Sequence, residues 1–215
     1  MSKNVKTALL LLLLVFAVIA IFAWSVMKKT DEAGVQIIKM YPSNKTLPEF
    51  SLTDESNRQF SNQSLPGKWS LVFFGYTHCP DVCPATMSNL ARVMKNIPVD
   101  DQNNIQVVLV SVDPERDNIN QLKTYVEFFN KNFKGVTGKD EQLQMFSQSL
   151  GAIYFKGEVD EKGNYAVDHT SKVFLINPEG KRAGLFDGQA IPPAKEFPAE
   201  RIAKDLQFLL KTHRF

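Results

Sequence analysis

Apolar and polar residues follow one another along this chain in successive patterns, and each predicts a different kind of element. From Ala8 to Trp24 every residue is apolar, and Ser25-Val26-Met27 carries the run on to Lys28 and Lys29. A block of that length reaches the lower end of what a helix needs to cross a bilayer. A cleaved signal peptide would have a shorter apolar core ending in a small-x-small site. Here Ala20 and Ala23 stand three apart, and no cysteine follows to carry a lipid. Residues 1–29 are therefore expected to form an uncleaved, single-pass transmembrane anchor. Lys3, Lys6 and the terminal amine on one side, against Lys28 and Lys29 on the other, lean it only slightly towards an inside N-terminus.

Beyond the anchor the pattern thins. Residues 30–47 are polar and lack a sustained period, apart from the patch Val35-Gln36-Ile37-Ile38, and are expected to be a tether. Regular alternation begins at residue 48. Pro48 to Leu52 alternates like a strand, Asp54 to Asn57 is a turn cluster, and Arg58-Gln59-Phe60 returns as the other half of a hairpin. Residues 70–74 and 105–112 are too apolar for half-exposed strands and predict a sheet covered on both faces. Between them, Met87, Leu90, Ala91, Val93 and Met94 make an apolar helical face over 84–96. Pro84 suits the first turn, where its missing N–H leaves nothing unpaired. Strand, helix, strand in this order predicts a right-handed βαβ unit with parallel strands.

Helical spacing returns at 118–130 and 140–150, with a short strand between them at 134–137. Residues 172–176 and 181–186 flank Asn177-Pro178-Glu179-Gly180 as a second hairpin, and 198–211 closes the chain as a helix. The order predicts one α/β domain of thioredoxin-like class over 48–215. Its expected parts are a central mixed sheet flanked by helices, an N-terminal β-hairpin extension, and a C-terminal hairpin and helix.

Charge adds one exclusion. The chain carries a formal +2, but the sign comes from lysines beside the apolar block. With 21 of the 25 basic residues and all 23 acidic residues beyond residue 29, the remainder is at −2. It has no basic stripe, so nucleic-acid binding has no electrostatic support.

The candidate chemistry lies in Tyr76-Thr77-His78-Cys79-Pro80-Asp81-Val82-Cys83-Pro84, which holds both cysteines of the chain. They fall at the carboxyl end of a predicted buried strand, leading into a helix, where open α/β sheets place their sites. Unpaired N–H groups and the helix dipole favour a thiolate there. A spacing of four puts both sulfurs on one face. A structural disulfide, a redox pair and half of a metal site all fit that spacing. The disulfide is the weakest of these, because so small a loop removes little unfolded-state entropy. A redox pair would have three intervening residues, where thioredoxins have two. A metal site of soft sulfur suits Cu(I), with Zn next, and needs a further ligand.

Three histidines are available. His78 adjoins Cys79, and neighbouring loop side chains are expected to diverge. His213 is expected in a solvated tail. His169 stands just ahead of the strand that packs beside the cysteine helix in a thioredoxin-like fold, which makes it the candidate third ligand. Asp168 is a candidate acceptor for its ring. Asp113 and Asp117 follow the second buried strand and are candidates for the surroundings of the site, although Asp117 could equally cap the helix at Asn118. The polar stretch 157–166, which includes Tyr165, is expected to be a mobile loop that brings His169 to the sulfurs.

Three blocks in register resemble the Sco/SenC family of copper-binding proteins: Tyr76 to Pro84, Ser111-Val112-Asp113-Pro114-Glu115-Arg116-Asp117, and Val167-Asp168-His169-Thr170. The resemblance implies one copper ion, Cu(I) or Cu(II), held by Cys79, Cys83 and His169. It implies a domain on the outer, periplasmic side of the cytoplasmic membrane. It also implies a role in assembling the binuclear copper centre of cytochrome c oxidase, with the copper-site subunit as partner and a periplasmic copper donor or thiol reductant as a further one. A metallochaperone and a thiol-disulfide reductase that keeps the target cysteines reduced are both compatible with it. A peroxiredoxin-type peroxidase is not supported, because no P-x-x-x-T-x-x-C motif surrounds either cysteine.

Overall fold

The computed structural model describes residues 14–21, 34–161, 163–190 and 196–212. It divides into two compact units, 1–34 and 35–215. In the first, Leu14 to Ile21 is helical. The rest of the expected anchor lies outside the described residues, as does His213. Among the described residues, no helix is long and apolar enough to cross a membrane.

The second unit is built on one eight-stranded mixed sheet. Its strands are β1 (Lys39–Thr46), β2 (Ser51–Asp54), β3 (Gln59–Ser61), β4 (Trp69–Gly75), β5 (Ile105–Ser111), β6 (Lys134–Thr137), β9 (Lys172–Ile176) and β10 (Lys181–Asp187). They lie in the order β1-β10-β9-β4-β5-β6-β2-β3. A separate pair, β7 (Tyr154–Lys156) and β8 (Val167–His169), forms a small antiparallel ribbon. The helices are α1 (Val82–Lys95), α2 (Val99–Gln102), α3 (Ile119–Phe129), α4 (Asp140–Leu150) and α5 (Ala199–Thr212).

The expected βαβ unit is present, with β4 parallel to β5 from Trp69↔Ile105 to Gly75↔Ser111. Every residue of both strands is buried, as their unbroken apolar pattern required. Phe74 meets Phe146 of α4 and Phe174 of β9, so the central core is aromatic. Both predicted hairpins form, β2 with β3 and β9 with β10. The helices at 140–150 and 199–212 agree with their patterns to within a residue.

The tether does not end where the polar pattern suggested. Lys39–Thr46 pairs with β10 as an edge strand. The backbone N–H groups of Gln36, Ile37 and Ile38 donate to the buried Asp205 carboxylate on α5 at 2.9, 2.6 and 2.9 Å. An edge strand with Pro42 within it and an irregularity between Met40 and Lys45 buries little, so alternation could not reveal it. The ribbon of β7 and β8 was missed for a similar reason, being only three residues a side.

Candidate metal centre

The cysteine segment leaves the carboxyl end of β4 and enters α1, which starts at Val82, two residues earlier than Pro84 had suggested. Cys83 therefore sits in the first helical turn, and the inward face of that turn takes it into the core. It is fully buried at 0% exposure, whereas Cys79 on the loop is half-buried.

The ribbon brings His169 to the pair. Its Nε2 lies 3.3 Å from Cys83 Sγ, and one ligand atom from each of Cys79, Cys83 and His169 falls within 4.8 Å of the others. The ring stands edge-on to Phe73 and Tyr76, with centroids 5.6 and 6.0 Å apart. Its Nδ1 faces the carbonyl of Thr170 at 3.3 Å. A proton on Nδ1 makes that bond and leaves the Nε2 lone pair for the sulfur side. Asp168, the expected acceptor, is exposed instead. Successive strand residues point to opposite faces, so Asp168 turns away from the ring that His169 presents.

The two thiols are unequal. A hydrogen bond from the Cys83 thiol is the main force lowering Cys79, to about 4, and the backbone N–H groups of Cys83 and Asp81 add to it. The same bond, followed by burial, pushes Cys83 upward. The Cys83 amide reaches Cys79 Sγ at 3.4 Å. Alkylation of the reduced, metal-free protein should thus modify Cys79 and spare Cys83. The Cys79 thiolate fraction is set by a lowered value, so its rate should stay flat as pH falls from 8 to about 5 and drop only near 4. Peptide mapping after a short iodoacetamide pulse at several pH values checks this. Equal labelling of both cysteines, or a rate that collapses below pH 8, would count against the asymmetry.

Asp117 is the hub beneath the loop. It is 1% exposed and accepts from Thr77 N at 2.8 Å, Thr77 Oγ1 at 2.6 Å and Ser111 Oγ at 2.6 Å. It does not cap the following helix. Asn118 does, accepting from Gln121 N at 3.0 Å. His78 diverges from Cys79, as expected, and turns its Nδ1 to Asp117 Oδ1 at 3.3 Å. His78, Asp113 and Asp117 come within 4.8 Å of one another. Their carboxylates are already engaged, Asp117 as above and Asp113 by Arg116 Nε at 2.5 Å and Tyr165 Oη at 2.7 Å. This second cluster thus reads as a hydrogen-bonded brace for the Cys79 loop.

Gly75 is a site residue that sequence reasoning did not single out. A Cβ there would stand 2.7 Å from Cys83 Sγ. Thr77, Ser111 and Arg116 were likewise missed as individual contributors, since only the fold brings their segments together.

A family model described as SCO1/SenC matches residues 39–207. A Stutzerimonas stutzeri protein named for copper binding is 37% identical over 154 residues, covering 72% of this chain and 74% of that one. Among solved structures, apo Sco1 from Thermus thermophilus is 32% identical with a TM-score of 0.72, covering 83% of this chain and 99% of that one. Copper-bound ScoI from Bradyrhizobium japonicum is 30% identical with a TM-score of 0.66, covering 76% and 99%.

Proposed function

The chain belongs to the SCO1/SenC family, and from that premise we propose that it is a membrane-tethered copper metallochaperone that uses Cys79, Cys83 and His169 as ligands. The observation that carries the reading is the convergence of two sulfurs and one imidazole nitrogen within 4.8 Å. Two thiolates and a neutral imidazole are a soft, three-donor set of the kind Cu(I) accepts, and ligand softness then supplies selectivity. Copper is cargo here and has to leave again. Cys79, the less buried and more acidic thiol, is the ligand an incoming group can reach first. Cys83 and His169, held by the core and the ribbon, are the ligands that keep the ion until then.

The recipient in this reading is the copper-site subunit of cytochrome c oxidase, and the setting is the periplasmic face of the cytoplasmic membrane. The apolar run from Ala8 to Trp24 supports an anchor over residues 1–29. The inequality of the thiols also supports a second use of the pair. A half-buried thiolate with a lowered pKa beside a fully buried partner is the arrangement of an attacking and a resolving cysteine. In that reading the metal-free protein reduces a disulfide on its target.

The reduced full-length chain, in detergent, is titrated with Cu(I) and with Cu(II). One copper retained per chain, with a thiolate-to-Cu(II) charge-transfer band, is the expected result. No retained copper together with ready exchange against glutathione would overturn the chaperone and leave the reductase.

A further inference from the structure

Three segments must stay in register for the candidate ligands to meet: the loop after β4, the turn after β5, and the ribbon that ends at His169. One side chain touches all three. Arg116 donates through Nε to Asp113 at 2.5 Å, which ties it to its own turn. Through Nη1 it donates to the main-chain carbonyl of Tyr165 at 2.9 Å, which ties it to the ribbon. Its Cζ lies 3.6 Å from the centroid of the Tyr165 ring and 5.6 Å from that of Tyr76, so the guanidinium reaches the cysteine loop as well. Its Nη2 is buried with no oxygen acceptor among the described residues. An aromatic face is a natural counterpart for a guanidinium edge in that position.

The surrounding contacts extend the same clasp. Tyr165 Oη donates to Asp113 at 2.7 Å, and Lys156 of β7 covers the ring, its Nζ 4.1 Å from the centroid. Lys156 also pairs with Glu115 at 2.6 Å. Two residues before His169, the amide of Val167 donates to Tyr76 Oη at 3.3 Å, and the Tyr76 ring then meets the His169 ring edge-on. The path from Arg116 to the imidazole is therefore continuous through packed groups. None of these residues contributes a ligand atom to the group formed by Cys79, Cys83 and His169.

We infer that Arg116, clasped against Tyr165 and Tyr76, is the positioning residue that holds the His169 arm against the cysteine loop. Cys83 is placed by α1, and the Cys79 loop by the bonds of Thr77 to Asp117, neither of which passes through the guanidinium. Loss of the guanidinium frees the third ligand and leaves the dithiol in place. A lysine keeps the charge but has no planar fork to bond Asp113 and the Tyr165 carbonyl together, so it rescues only in part.

The test has one readout that needs no metal. Hydrogen–deuterium exchange of the full-length, metal-free chain is followed at Val167 in Arg116→Gln, Arg116→Lys and Tyr165→Phe. Exchange at Val167 should rise about tenfold or more in Arg116→Gln, the scale of losing one hydrogen bond to a charged group. It should rise less in the other two, with β4 and β5 amides unchanged in all three. Tyr165→Phe keeps the ring and removes the hydroxyl's contacts with Asp113 and Glu115, so it carries the test if Arg116→Gln does not fold. Unchanged exchange at Val167 in the folded variants overturns the inference.

The second readout rests on the ligand assignment proposed above. Arg116→Gln should weaken copper retention about 10–100-fold, as loss of a group supporting a ligand does. Adding it to His169→Ala should cost nothing further, because the arm it holds then carries no ligand. Additive losses would mean that Arg116 acts elsewhere. A parent protein that retains no copper would sink the ligand assignment and leave the exchange result standing.

Discussion

His169→Ala is expected to weaken copper retention by more than the roughly 10–100-fold that loss of a mere supporting group costs. Thiol–disulfide exchange at Cys79 should persist. The imidazole is the one nitrogen in the group of three, and its Nε2 sits 3.3 Å from the buried sulfur. Without it, two sulfurs remain, and one of them is open to solvent exchange. The pull on Cys79 comes first from the Cys83 thiol and only last from His169, so the attacking thiolate survives the substitution. Copper competition titrations and a glutathione-disulfide exchange assay on the same preparation separate the two readings. Full copper affinity in the variant would remove His169 from the ligand set. Loss of exchange with copper binding intact would reverse the assignment of roles.

Gly75→Ala is expected to damage the site from the opposite side. The new Cβ would lie 2.7 Å from Cys83 Sγ, 2.9 Å from Phe73 Cε1 and 3.4 Å from Leu109 Cδ1. All three neighbours belong to residues at 0% exposure, so none can swing into solvent. Overpacking of this kind costs on the order of 1–3 kcal/mol. The least confined way to relieve it is to push the Cys83 sulfur out of its place. A lower denaturation midpoint and weaker copper retention should therefore appear together. An unchanged midpoint with unchanged affinity would mean that the end of β4 has slack the packing does not suggest. Loss of stability with full affinity would mean that the strand, and not the sulfur, yields.

Much of the architecture was legible from local pattern, because the elements that carry the core are those whose burial writes a period into the chain. β4 and β5 read as buried strands since both faces are covered, and α4 and α5 read as helices from one apolar stripe. β1 was hidden for the converse reason: most of its residues are exposed, and its hold is a hydrogen-bonded edge together with the Asp205 carboxylate, neither of which leaves a hydrophobic period. At the site, residue type was informative where chemistry is rare. Two cysteines and three histidines leave few combinations, and the three sequence blocks selected among them. The role of Asp117 stayed open between support of the site and a helix cap, because a buried hub and a cap look alike in one dimension.

By itself, then, the sequence determined which core elements form and which residues are chemically able to hold a soft metal or exchange a disulfide. It could do so because periodicity and residue type are local properties. Tertiary structure alone decided that Cys83 is fully buried while Cys79 is only half-buried, and that His169 points its Nε2 at the buried sulfur and its Nδ1 at a carbonyl in place of Asp168. It also decided that Gly75, Asp117 and Arg116 shape the site. Those facts depend on distances between segments far apart in the chain, and packing sets such distances only once β4, β5 and the small ribbon have come together.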